Sequence, residues 1–169
     1  MGLVGNMDIV DNMMLRSYSK GRSLFVDRKK PKNLAEKIIK ELQVSTPGTH
    51  TPVRRLSGGN VQKVVVAREF SNKPELVIAN QPTRGIDVGA TEFIRKRLVE
   101  LRDEGTAVLL ISADLNEVLE LSDSLIVMNE GKIAAYLEDA SVITDMILGE
   151  YMLGVKTQTP EEIARVAYD

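Results

Sequence analysis

Apolar positions fall into two regimes along the chain. In the first third they recur at helical spacing: Ile9 to Leu15 cluster as in a short helix, and Asn33 to Leu42 place Leu34, Ile38, Ile39 and Leu42 on one face. The basic segment from Arg22 to Lys32 reads as the loop between them, and Ser45 to Arg55, rich in Thr, Pro and Gly, as a second loop. A third helix is expected to start at Ser57, a hydroxyl cap, and to turn Val61, Val64, Val65 and Val66 inward despite their β-branched stiffness.

From Leu76 the period changes. Leu76 to Ala79 and Ala107 to Ile111 are short continuous apolar runs that read as buried strands, with Asp87 to Arg102 between them at helical spacing through Phe93, Ile94, Leu98 and Leu101, ended by Gly105. Asp114 to Leu121 reads as a short helix, Leu125 to Met128 as a third strand, and Asn129-Glu130-Gly131 as a turn into Ile133 to Tyr136. Ser141 to Leu153 is expected to form one amphipathic helix, and Pro160-Glu161-Glu162 to open a further short helix or a frayed tail. Strands alternating with helices predict an α/β layer fold with a largely parallel sheet, preceded by a lobe of helices and loops.

Composition narrows the classes. At 169 residues, 43% of them hydrophobic, the chain is long enough to bury a real core. Lysine and arginine number 22 against 24 acidic residues, so charge gives no reason to expect a nucleic acid or an anionic lipid as partner. The absence of cysteine removes disulfides and thiolate metal sites and fits a reducing compartment. The longest apolar run is far short of the roughly 20 residues a membrane-spanning helix needs. The first twelve residues carry neither a secretion signal nor a myristoylation pattern.

Candidate chemistry concentrates at Leu56-Ser57-Gly58-Gly59, with Gln62 and Lys63 close behind. Two glycines at a helix start let the backbone approach a phosphate, Ser57 adds a hydroxyl, and the helix dipole favours negative charge. A turn with a cap explains the same residues. His50, the sole histidine, reads as solvated rather than as a ligand, because one imidazole makes no metal site. Arg54 and Arg55 read as a solvated pair beside the Ser57 turn, and Met13 and Met14 as packing.

This segment resembles the signature motif of ATP-binding-cassette (ABC) ATPases. The elements C-terminal to it are similar in order and spacing: a helix, the strand ending at Asn80-Gln81 like a Walker B segment, Gly85-Ile86-Asp87 like a D-loop, and Ile111-Ser112-Ala113-Asp114 like a switch segment. The resemblance covers the chain to about Gly154. It implies a partial P-loop NTPase fold with a helical subdomain over residues 1–57, an α/β core over 58–153 and a tail over 154–169. The Walker A region is absent: no G-x-x-x-x-G-K-[ST] occurs, and Gly131-Lys132 sits in the expected hairpin. The expectation is therefore a piece of a longer ATPase, with Met1 an internal residue or an imposed start.

In the family the Walker B carboxylate orders magnesium, the adjoining glutamate polarises the attacking water, and the switch histidine contacts the γ-phosphate. Here those positions hold Asn80, Gln81 and Ala113. Asn80 lacks the charge that favours a hard cation, Gln81 cannot accept a proton, and Ala113 has no polar group. An engineered Glu-to-Gln change would explain Gln81 but not Ala113, so the resemblance implies natural degeneracy. Family members pair head to tail, so Ser57, Gly58, Gly59, Gln62 and Asp87 would serve an ATP, with its magnesium, held mainly by a partner domain.

The segments PTRGIDVGA and SADLNEV are similar to the branch that imports simple sugars and nucleosides, whose ATPase subunit is two fused nucleotide domains. The implied partners are the N-terminal nucleotide-binding domain of the same subunit, a membrane permease that docks on the helical lobe, and, indirectly, a substrate-binding protein. The implied place is the cytoplasmic face of the membrane. Two alternatives stand beside this: an active hydrolase half, and a scaffold of the translation-factor branch, which usually carries Asn-His where this chain has Arg84-Gly85. Lacking the covering strands of a whole domain, the isolated chain is expected to expose an apolar strand edge and face and to self-associate.

Overall fold

The computed structural model describes residues 2–15, 28–71 and 74–167. The chain divides into two compact units, Met1–Val77 with Pro82–Val108, and Ile78–Gln81 with Leu109–Asp169.

In the first unit the helices are α1 (Ile9–Met14), α2 (Lys29–Glu41), α3 (Gly58–Phe70) and α4 (Val88–Asp103). Ile9, Val10 and Met13 of α1, Ala35 and Ile38 of α2, and Val64 and Ala67 of α3 share one core with Leu42, Val44 and Val53. Asn12 is fully buried and satisfied: its Oδ1 accepts from Val4 N at 2.8 Å while its Nδ2 donates to Val4 O at 3.1 Å and Asp8 O at 2.9 Å. A buried amide so bonded fixes the path of residues 4–8. That loop in turn accepts Val53 N at Met7 O and Arg54 N at Gly5 O, which sets the approach to Ser57.

Helix α2 begins at Lys29, earlier than its apolar spacing predicts. Pro31 falls in its first turn, where a missing N–H breaks no intrahelical bond, so the basic run through Lys32 is helix rather than loop. The rest of that expected loop, residues 22–27, lies outside the described residues. In α3, Val64 is fully buried and Val61 and Val65 pack partly on the core, whereas Val66 lies outside that cluster and Lys63 and Arg68 are buried instead. Arg68 Nη2 reaches Gly2 O at 2.6 Å. Helix α4 buries Ala90, Ile94, Leu98 and Leu101 and ends before Gly105, whose φ of 93° closes the turn.

Strand β1 (Leu76–Asn80) pairs with β2 (Ala107–Ile111). Ala107 N donates to Glu75 O at the start and Gln81 N to Ile111 O at the end, so the pair is parallel. Leu76, Val77, Ala107 and Val108 count with the first unit, and the remaining residues of both strands with the second.

The second unit adds α5 (Leu115–Leu121), the antiparallel hairpin β3 (Leu125–Asn129) and β4 (Lys132–Leu137), α6 (Asp145–Met152) and α7 (Pro160–Ala167). Leu125, Val127, Ala135 and Leu137 pack with Ala140 and Leu148. The single helix expected over 141–153 is broken in two. Asp139 bonds Ser141 N and Oγ to make a 3-10 turn over Ala140–Val142, and Thr144 Oγ then caps α6. Short polar side chains that bond their own backbone compete with a continuous helix. Beyond α6, Gln158 N donates to Ala134 O and Gln158 Oε1 accepts from Tyr136 N, both at 2.8 Å, so the tail borders β4 before α7 begins.

The two apolar runs read as buried strands are strands, but one face of each is exposed rather than buried. Leu76 and Ile78 of β1 are 56% and 62% exposed, and Leu109 and Ile111 of β2 48% and 46%. Periodicity reports that a strand is made to be covered, while the cover itself must come from other chain. The exposed strand face expected of a partial domain is therefore present. No helix among the described residues is long and apolar enough to cross a membrane.

This packing makes two outcomes measurable. Sedimentation of the purified chain is expected to show concentration-dependent self-association through these strands, and a monodisperse monomer at all concentrations would contradict it. Replacing fully buried Ile9 by Ala is expected to lower unfolding stability by about 2–5 kcal/mol in urea titrations, the cost of a large-to-small change in a packed core.

Candidate functional site

Loop residues 53–57 descend into α3 with Ser57 as its cap. Ser57 Oγ accepts from Asn60 N at 3.4 Å and from Asn60 Nδ2 at 2.8 Å. With both acceptor positions of the hydroxyl used, its hydrogen is left to be donated outward. Asn60 Oδ1 meanwhile accepts from Ser45 N at 3.0 Å, which ties the turn to the loop after α2.

The segment 82–87 lies against the first two turns of α3. A Cβ on Gly59 would sit 3.1 Å from Gly85 O, so the close approach needs glycine there, and Gly85 itself has φ 75°. Gln62 Nε2 donates to Pro82 O at 2.8 Å. Lys63 Nζ meets Asp87 Oδ2 at 2.5 Å, and Asp87 Oδ1 accepts from Ala90 N at 2.9 Å to cap α4. The bonds from Lys63 and then Ala90 hold the Asp87 carboxyl below the usual carboxylate range. Between these elements opens a recess of about 330 Å³ lined by Ser57, Gly59, Asn60, Lys63, Gly85 and Asp87, together with Gln43, Ser45 and Ile86. It combines a helix N-terminus, a hydroxyl donor and a neutralised carboxylate, a chemistry suited to a phosphate.

The structure thus brings Ser57, Gly59 and Asp87 to one recess. Gly58, exposed, opens α3 beside it, and Gln62 does not line it, its amide being bonded to the Pro82 carbonyl. Asn60 and Lys63 are the residues whose roles the sequence reading missed. The signals were present: a Ser-x-x-Asn spacing that lets the fourth residue reach back to the cap, and a lone lysine at helical i, i+4 distance from Gly59.

In the second unit, Asn80 and Gln81 stand at the end of β1, and Ser112 and Ala113 just past β2. The C-terminal ends of adjacent parallel strands are where open α/β sheets bind ligands. Asn80 and Ala113 are exposed there, and Gln81 holds φ 50°, unusual for a residue with a side chain. Asp114 caps α5 through Asn116 N and Glu117 N. Asn80, Gln81 and Ala113 do not fit a magnesium ion, because two neutral amides and a methyl group offer it no carboxylate, the ligand a hard cation takes. His50 is exposed, with Nδ1 2.9 Å from Asp8 Oδ2, and Arg54 and Arg55 are exposed as well.

The fold is that of part of an ABC ATPase cassette. The dimeric structure of MJ0796, a bacterial ABC transporter cassette, superposes with a TM-score of 0.68 at 23% identity, covering 80% of this chain and 58% of that one. A structure described as the ATP binding subunit of an ABC transporter gives a TM-score of 0.66 at 19% identity over 98% of this chain and 64% of that one. No protein-family model matches the chain.

In sequence, the chain is a homologue of import ATP-binding proteins for sugars and nucleosides. It is 45% identical over 156 residues to the guanosine import ATP-binding protein NupO of Bacillus subtilis, and 41% identical over 156 residues to the nucleoside import ATP-binding protein NupA of Lactococcus lactis, covering 90% of this chain in each case. The ribose import ATP-binding protein RbsA of Hahella chejuensis is 37% identical over 93% of the chain. The chain spans 30–32% of the length of these curated relatives.

The Asp87 carboxyl makes stability depend on pH. Because folding lowers its pKa, its contribution is complete above the unfolded value and is lost as pH falls through the folded one. Urea midpoints measured between about pH 2 and 5 are expected to fall on acidification, and Asp87→Asn, which keeps a cap acceptor but has no charge to lose, is expected to flatten that part of the decline.

Proposed function

We propose that this chain is part of the ATP-binding subunit of an importer of simple sugars or nucleosides. It lends its Ser57–Asn60 turn to an ATP held mainly by a second nucleotide-binding domain. The observation that carries the reading is the recess at the start of α3, where the Ser57 hydroxyl, accepting from Asn60, lies beside Gly59 and the Asp87 loop. A phosphate there would receive the Ser57 hydroxyl hydrogen and the first N–H groups of α3, and Asn60 would keep the hydroxyl aimed.

Its own strand ends are silent in this reading. Asn80, Gln81 and Ala113 offer neither an anionic grip for a cation nor a base for water, and a positioned base typically contributes about 10²–10⁴-fold. That combination favours a lending half over an active hydrolase half. The partners are the N-terminal nucleotide-binding domain of the same subunit and membrane permease subunits, with a substrate-binding protein reached indirectly, at the cytoplasmic face of the membrane. The identities of the import relatives over most of this chain support the assignment, and the branch-specific segments PTRGIDVGA and SADLNEV agree with it. The residue blocks 1–57, 58–153 and 154–169 then act as helical subdomain, core and tail.

The test is magnesium-dependent ATP turnover by this chain alone and joined to a nucleotide domain that carries a Walker A loop. Turnover is expected only in the joined form, and Ser57→Ala is expected to reduce it roughly 10²-fold or more, as loss of one donor to developing negative charge does. Turnover by the chain alone would overturn the proposal.

A further inference from the structure

A buried lysine beside the phosphate-suited start of α3 calls for an explanation, because an ammonium group is not buried without a counter-charge. Lys63 has a side chain only 7% exposed, on the turn of α3 next to the phosphate-suited start. Its ion-pair partner, Asp87, is 60% exposed and opens into the same recess as Ser57 and Gly59. The lysine therefore reaches from the inside of the helix to a carboxylate at the mouth. Left alone, that carboxylate would stand beside the positive end of α3 as an anion belonging to the protein itself, repelling a phosphate or taking its place.

We propose that Lys63 is the positioning residue of this recess: its ammonium clamps loop 82–87 onto α3 and cancels the Asp87 charge, so that the Ser57 turn stays open to a phosphate. The inference rests on the phosphate reading of that turn. The clamp has three points in register along the helix, Gly59 against Gly85, Gln62 on Pro82 and Lys63 on Asp87, and only the last carries charge. The first two fix distance, and the third fixes distance and potential together.

The experiment uses the full chain and inorganic phosphate as the probe, with amide shifts of Gly58, Gly59 and Asn60 reporting binding and hydrogen exchange at Gly85 and Ile86 reporting the clamp. Lys63→Met, which fills the buried path without charge, is expected to weaken phosphate binding about tenfold and to speed exchange at Gly85 and Ile86 by a similar factor. The double variant Lys63→Met with Asp87→Asn is expected to recover phosphate affinity to within roughly threefold of the parent while exchange stays fast, because charge is balanced again but the clamp is still open. A lysine with a merely structural role would give no such recovery, and that result overturns the charge role. Unchanged exchange in Lys63→Met overturns the clamp. If the parent chain shows no phosphate-dependent shift at the turn, the phosphate reading and the charge role fall together, and the exchange data still decide the clamp.

Discussion

A buried ammonium needs a carboxylate within reach, and the arrangement around the start of α3 depends on that requirement being met by a residue from another loop. Lys63 cannot stay inside unless Asp87 comes to it. Asp87 can come only if Gly85 takes a left-handed turn and Gly59 lets the loop touch the helix backbone. Once there, the same carboxylate caps α4, so one ion pair sets both the end of a loop and the beginning of a helix. Asn60 does the corresponding work on the other side, joining Ser57 to the loop after α2.

Much of the fold was legible because local chemistry agrees with it. The cap at Ser57, the helix beginning at Asp87, the hairpin turn at Glu130-Gly131 and the parallel β1–β2 pair all arise from spacing and residue type. What escaped was set by competition or by absent neighbours. Asp139 and Thr144 drew backbone N–H groups away from a continuous helix, and Pro31 permitted a helix where basic residues had suggested a loop. The strand faces look buried in sequence and are open in this chain, since a period reveals which side wants cover and not whether cover exists. At the recess the glycines and Ser57 were readable as a motif. Asn60 and Lys63 stood at suggestive spacings, but their roles were not readable, since their partners, Ser45 and Asp87, stand on loops on either side of α3 that only the fold brings to it.

Two parts of the chain offer contrasting chemistry. The α3 start keeps a donor hydroxyl, permissive glycines and a balanced charge. The C-terminal ends of β1 and β2 instead hold neutral amides and a methyl group, at Asn80, Gln81 and Ala113. In the function proposed above, a domain that only presents a helix terminus to a ligand held elsewhere needs the first and can do without the second.

The backbone at Gln81 bears a different implication. Its φ of 50° is a conformation that favours glycine or asparagine and strains a longer side chain by about 1–3 kcal/mol. The hydrogen bond from Gln81 N to Ile111 O holds the turn in place at the end of the parallel pair. A backbone so placed selects by shape: β-branched side chains are disfavoured by sterics, while glutamate and glutamine occupy the space equally. The position therefore admits an exchange of glutamine for glutamate that would change its charge without asking the main chain to move.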